Sequence, residues 1–476
     1  MSGIPAQGTH IYCMGVCGTG MGALAGLLQS SGYRVRGSDE GMYPPMSDKL
    51  REWGVETISG FAAKNLEDRP DLIIVGNVIR ENNPEAVYMR AHDIPYLSMA
   101  QAVAEFAIRD RKSLVVAGTH GKTTTTALTM HLLRSAKRDP SFFVGGALKG
   151  YAESFHDGDG PHFVIEGDEY DTAYFDKGPK FLHYKPHTTL ISSLEFDHAD
   201  IFASIENIEN AFADLIKATH PEGTLVIWAG AERALRLADA AHAKRNMLIF
   251  DTKKRARTNV FFEKYHFGAQ GMHFVANVCG NSYSEMLVPL WGEHNARNVL
   301  AALALSLDAA LSHDELRDGF ASFAGVHRRL DVIGSPCGIH VVDDFAHHPT
   351  AVKLTIGAAR QRWPNHKIWC VFEPRSATSR RNVFQEAFAD ALMLADRITV
   401  ASHERLAEIP AAERFDPLAL VNSLNRQGRQ AFFDPEPVAI IARIKAEAKE
   451  GDVILICSNG SFGGLHQDLL KALGNG

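Results

Sequence analysis

The densest run of reactive residue types in the chain is GTHGKTTT, residues 118–125. Gly118 and Gly121 let the backbone come close to phosphate oxygens, with Thr119, His120 and Thr124 completing the loop. Lys122 can reach β- and γ-phosphate oxygens, and the Thr123 hydroxyl suits Mg²⁺. The common phosphate-loop pattern has a glycine where Val116–Ala117 stand here, and a purely structural glycine turn is the bland alternative. A strand before the loop and a helix after it favour the phosphate site.

Other reactive clusters follow in chain order. FVIEGDEYD carries Glu166, Asp168, Glu169 and Asp171, where one carboxylate aimed at the loop would hold Mg²⁺; a solvated acidic loop fits as well. LEFDHAD carries Asp197, His198 and Asp200 after a strand, either a metal or acid–base site or a buried, hydrogen-bonded histidine. In GEHNARN, Asn295 and Asn298 open a helix, and Asn295 serves equally well as its cap. Arg328 and Arg329 suit phosphate contacts, or a solvated surface, and Asp343, Asp344, His347 and His348 stand where a strand gives way to a helix. GVCGTGMG holds Gly15, Gly18, Thr19, Gly20 and Met21, a second turn able to cradle a pyrophosphate, with Ser38 and Asp39 after the next strand. Two phosphate-binding turns imply two different phosphate-bearing ligands. A Rossmann oxidoreductase accounts for the first turn alone.

These residues need strand ends and helix starts to carry them. Short apolar runs alternate with helical-period stretches, predicting α/β architecture with mainly parallel sheets. HIYCMGV, YRVRGSD, DLIIVGN and IPYLS read as strands of a Rossmann-like block over 1–108. SLVVAG, HFVIEGD, TTLISSL and TLVIWAG belong to a central P-loop block over 109–324. Its later segments NVFFEKYHF, GMHFVANV and EMLVPLW alternate as antiparallel strands do, so its sheet is expected to be mixed. HVVDDF, IWCVFEP, RITVAS, QAFFD and DVILICSNG predict a second Rossmann-like block over 325–476.

A chain of 476 residues exceeds what one core serves. A net charge of -7, mixed along the chain, gives no footprint for nucleic acid. No apolar run is long enough to insert in a membrane and no secretory leader is legible, so a cytoplasmic protein is expected. The six cysteines are scattered and are expected to be buried free thiols.

Taken together, GTHGKTTT, the Glu166 segment, DHAD, GEHNARN, HRRLD and DDFAHHPT stand in the order and rough spacing of the Mur ligases. The chain resembles that family along its whole length. The resemblance implies an ATP-dependent carbon–nitrogen ligase of peptidoglycan synthesis or recycling, with UDP-sugar-binding, ATPase and amine-binding domains in that order. It implies ATP and Mg²⁺ as cofactors, and UDP-N-acetylmuramate and a short peptide or amino acid as partners.

Lys122, Glu166, His198 and Arg328 or Arg329 would be catalytic, with Thr123, Glu166 and His198 on the metal. Asn295, Asn298, Asp344 and His347 would position the nucleotide. Within the family, GVCGTGMG, MYPPMSDKL, FEPRSATS and SNGSFGGLHQ resemble the member that attaches a recycled tripeptide ending in diaminopimelate more than the one that adds L-alanine. Many relatives carry a carbamylated lysine after the DH motif, whereas residues 199–216 hold no lysine, as is also true of the alanine-adding branch. Strand-end positions make Arg375, Ser376, Asn459 and Ser461 peptide-binding candidates. A regulatory ATPase that binds a UDP-sugar without ligating it is the different-class alternative.

Overall fold

The computed structural model describes residues 6–43, 46–196, 201–202, 204–241 and 246–474. Asp197, His198 and Asp200 lie outside the described residues. Among those described, three principal sheets carry the reactive segments.

The first sheet has five parallel strands, ordered Glu56–Ser59, Arg34–Asp39, His10–Met14, Leu72–Val75 and Tyr96–Ser98. The uninterrupted runs HIYCM and LIIV are buried throughout, as central strands covered on both faces must be. Strand order reverses between His10–Met14 and Leu72–Val75, and ligands of such sheets bind beyond the carboxyl ends at this crevice. The turn Gly15–Gly18, leading into helix Thr19–Ser30, sits there.

The second sheet is eleven-stranded and mixed. Its parallel part runs from Ser141–Phe143 through His162–Gly167, Lys112–Ala117, Pro186–Ile191, Thr224–Trp228 and Asn246–Asp251 to Val260–Gly268. Gly271–Val278 and Met286–Val288 continue it antiparallel, as their alternating pattern predicts. The sequence reading passed over Ser141–Phe143 is too short, and Asn246–Asp251 too polar at its start, to stand out as strands in the sequence.

The third sheet places five parallel strands in the order His340–Asp344, Val453–Cys457, Ile368–Phe372, Arg397–Val400 and Gln430–Phe433. Asp331–Gly334 adds an antiparallel edge. Of the cysteines, Cys13, Cys370 and Cys457 are buried, but Cys279 and Cys337 are exposed, contrary to expectation; both sit in turns with left-handed backbones, φ 51° and 49°.

The three sheets are joined in two different ways. The first and second share one continuous apolar core, from Ile11 and Leu24 to Phe163 and Ile227. Trp53 meets Phe155 edge-to-face across it at 5.1 Å. Trp291 reaches from the second sheet into the third sheet's own core. The junction is otherwise largely polar: the Thr350 hydroxyl donates to Glu195 at 2.9 Å, Gln361 accepts from the Gly292 N–H at 2.9 Å, and Lys149 pairs with Asp331.

Candidate active site

The strand Lys112–Ala117 delivers the 118–121 turn to the amino end of helix Lys122–Ser135. Gly118 (φ 126°) and Gly121 (φ 83°) are left-handed, where other residues are strained. A Cβ at 118 would lie 2.8 Å from the Ser193 nitrogen, and one at 121 would lie 2.5 Å from Asn298 Oδ1. The turn is tied to the next strand end: the His120 N–H donates to the Ser193 hydroxyl at 2.9 Å, and the Glu195 N–H to Thr119 Oγ1 at 2.9 Å. Thr124 is buried in the helix.

Charge around the turn is dense and mostly enclosed. Lys122 Nζ donates to Glu169 Oε2 at 2.9 Å and lies 3.7 Å from Asp168 Oδ1. Burial alone would lower its pKa, but Glu169 and Asp168 outweigh burial and hold the ammonium well above its ordinary range. Thr123 Oγ1 donates to Glu166 Oε2 at 3.0 Å, and the Gly145 N–H to Glu166 Oε1 at 2.6 Å. Burial, with Asp168 adding to it, raises Glu166 above the usual carboxylate value. A raised carboxylate beside a hydroxyl and a second carboxylate is a donor set of hard oxygens, and it fits Mg²⁺.

The arginine pair divides. Arg328 (φ 61°) spends its guanidinium on the Ser458 and Gly460 carbonyls, at 2.6 and 2.8 Å, and pairs with Asp343 at 3.3 Å. Arg329 turns the other way and donates to Thr123 Oγ1 at 3.4 Å. Asp344 is buried and accepts from Leu330 N–H, Ala346 N–H and Thr355 Oγ1, which anchors the loop carrying both arginines. His347 Nδ1 lies 3.0 Å from the Phe345 carbonyl oxygen.

Asn295 is not the helix cap, a place Gly292 takes. Its amide donates to the Trp291 carbonyl at 2.8 Å, and its Oδ1 accepts from Asn298 at 3.0 Å, so the two asparagines brace the phosphate turn from behind. Nearby, burial, with Arg297 and Arg329 adding to it, pushes His294 down to about 3, so its ring stays neutral.

The His120, His348 and Glu195 donor atoms lie within 4.8 Å of one another. His348 Nδ1 accepts the Thr350 N–H, so that nitrogen is already engaged in capping the following helix. Glu195 already holds His120 at 3.1 Å and Thr350, and is kept at about 2 because the His120 contacts outweigh burial. The cluster is a bond between sheets. Glu195 went unremarked in the sequence; its one signal is a strand-end position beside DHAD.

The amino-terminal turn is built differently. Gly15 is left-handed (φ 79°) and a Cβ there would lie 3.1 Å from Val78. Gly18 and Thr19 are exposed, Gly20 would meet Met99 at 2.8 Å, and the Met21 side chain belongs to the core. Asp39 accepts from the Cys17 N–H at 2.9 Å and so fixes the turn. Ser38 is buried and donates to Glu85 at 2.6 Å, where Tyr12 and Asn65 also donate. Ser38 and Asp39 thus support the turn from beneath.

In the third sheet, Arg375 and Asn459 stand beyond the ends of adjacent strands Ile368–Phe372 and Val453–Cys457. Ser376 is bonded to Ser379 at 2.9 Å, and Ser461 is exposed.

Family models match the chain in three successive stretches: the Mur ligase family catalytic domain over residues 10–111, the middle domain over 116–306 and the glutamate ligase domain over 328–460. The chain belongs to the Mur ligase family and is an ATP-dependent carbon–nitrogen ligase. Enzymes of this family use ATP and typically Mg²⁺.

Among its relatives, a Haemophilus influenzae protein named UDP-N-acetylmuramate–L-alanyl-γ-D-glutamyl-meso-2,6-diaminoheptandioate ligase is 35% identical, over 98% of this chain and 99% of its own. A Clostridium acetobutylicum UDP-N-acetylmuramate–L-alanine ligase is 31% identical over 94% and 95%. Among solved structures, a murein peptide ligase from Psychrobacter arcticus shares 32% identity with TM-score 0.73, covering 98% and 99%. A UDP-N-acetylmuramate–alanine ligase from Thermotoga maritima shares 25% with TM-score 0.79, covering 97% and 98%.

Proposed function

We propose that this ligase joins the lactyl carboxylate of UDP-N-acetylmuramate to the α-amine of L-alanyl-γ-D-glutamyl-meso-diaminopimelate, converting ATP to ADP and phosphate. The convergence of Lys122, Thr123, Glu166 and Arg329 on one phosphate turn carries the reaction type. The relatives named for this peptide substrate, at 35% and 36% identity, support the amine.

In this reading, residues 1–108 hold the nucleotide sugar on the Gly15–Met21 turn, 109–324 hold ATP on 118–124, and 325–476 bring the peptide past Arg375, Ser376, Asn459 and Ser461. Thr123 and Glu166 would hold Mg²⁺, which would offset phosphate charge on the transferring group. His198 stays a metal-ligand proposal on resemblance alone.

Lys122 leaves Glu169 for the outer phosphate oxygens, and Arg329 stabilises the transferring group. The lactyl carboxylate oxygen attacks the γ-phosphorus as the bond to ADP breaks. The peptide amine, having lost its proton, then attacks the acyl carbon and expels phosphate. Asn295, Asn298, Asp344 and His347 keep the turn and the arginine loop in place. Arg328 holds the peptide-side loop against them. ATP and the nucleotide sugar place this reaction in the cytoplasm.

The higher TM-score to the alanine ligase favours L-alanine as a second reading. Overall superposition weighs the disposition of three sheets more than the residues at one crevice, so identity is the better guide to substrate here. Offering both amines side by side tests the choice: the peptide should drive ADP release at least about 100-fold better by kcat/KM. Preference for L-alanine would reverse the assignment. ATP with UDP-N-acetylmuramate but no amine should yield little ADP.

A further inference from the structure

The third sheet turns an unusual arginine toward its crevice. Neighbouring arginines are committed: Arg328 to Asp343, Arg380 to Glu408 at 3.0 Å, and Arg381 to Glu413. Among the described residues, no carboxylate lies within ion-pair reach of Arg375, which is only partly exposed. Its guanidinium lies directly against Gly460, so closely that a Cβ at 460 would fall inside it. Gly460 has an ordinary backbone; what its missing Cβ leaves is the room the guanidinium occupies in this position.

The Gly460 loop is itself fixed. Its N–H donates to Ser458 Oγ at 3.0 Å, Ser458 donates to the buried Glu373, and Arg328 holds its carbonyl. Beside it, Asn459 Oδ1 is fully enclosed yet accepts no hydrogen bond among the described residues. A partly enclosed guanidinium lacking an anion, next to an enclosed oxygen lacking a donor, is complementary to a carboxylate and an ammonium held close together. Burial pushes His403 below its ordinary value, with Arg375 adding to this against Glu373.

Resting on the peptide substrate proposed above, we propose that Arg375 and Asn459 bind the zwitterionic far end of its diaminopimelate residue, with Gly460 as the positioning residue that seats the arginine. Arg375 takes the distal carboxylate and Asn459 Oδ1 the distal ammonium. The peptide then lies with its free amine toward the phosphate turn, because the same loop connects through Arg328 and Arg329 to Thr123.

Three peptides separate the contributions: the diaminopimelate tripeptide, its L-lysine counterpart lacking the distal carboxylate, and the diaminopimelate peptide acetylated on its distal amine. Arg375→Met should raise KM for the first about 100-fold while leaving the lysine peptide within about 3-fold. Gly460→Ala should reproduce that selectivity loss with the arginine still present, and Arg375→Lys should fall between. Asn459→Ala should weaken the first two peptides and spare the acetylated one. Equal losses for diaminopimelate and lysine peptides in both Arg375→Met and Gly460→Ala would overturn the proposal. Wild-type enzyme that turns over L-alanine and none of the peptides would instead refute the proposed substrate, and this inference with it.

Discussion

The two glycine turns look alike as sequence and differ as electrostatic devices. The amino-terminal turn, Gly15–Met21, is held by Asp39 through a backbone N–H, covered by Val78, and floored by the neutral contacts of Gly20 with Met99. It offers backbone donors and a helix amino end, enough to hold a diphosphate that does not react. The central turn adds two charged or polar sets side by side: Lys122 paired with Glu169 and Asp168, and Thr123 bonded to Glu166. Holding a phosphate takes geometry. Moving one takes compensating charge already in place.

Lys122→Ala should cut the contrast most deeply, lowering kcat by about 1,000-fold or more while UDP-N-acetylmuramate binding by calorimetry stays within about 2-fold. Retention of most turnover would erase the distinction between the turns. Gly15→Ala should do the reverse on a smaller scale. Forcing alanine into a left-handed backbone costs about 1–3 kcal/mol, so KM for the nucleotide sugar should rise roughly 10-fold with little change in KM for ATP.

The smallest effect concerns pH. Glu166 is raised above an ordinary carboxylate, so protons compete with Mg²⁺ for it earlier as pH falls. The Mg²⁺ concentration for half-maximal rate should climb several-fold between about pH 8 and about pH 5, while nucleotide-sugar binding stays flat. A flat Mg²⁺ requirement would remove Glu166 from the metal.

The architecture was largely legible because each sheet announces itself in apolar runs, and the glycine turns because they are local. What was not legible is which way neighbours point. Arg328 and Arg329 are adjacent and identical in type, yet one grips Ser458 and Gly460 and the other Thr123, some 130 and 206 residues away in sequence. Ser38 looked like a ligand contact, but Glu85, 47 residues on, claims its hydroxyl. The Glu195–Thr350 bond spans 155 residues and joins two sheets. Each choice is made by packing between elements, which no motif encodes. His198 lies outside the described residues, and its role stays with the family resemblance.

The core shared by the first two sheets has a consequence for how the chain comes apart. Residues from Ile11 to Ala234 bury one another across that junction, so neither sheet can open without exposing the other's apolar side chains. The third sheet's cores are its own apart from Trp291 and Phe267, which reach in from the second. Heating should therefore show two cooperative transitions for three sheets, and amide exchange should slow together across the first two while the third sheet keeps its own rate.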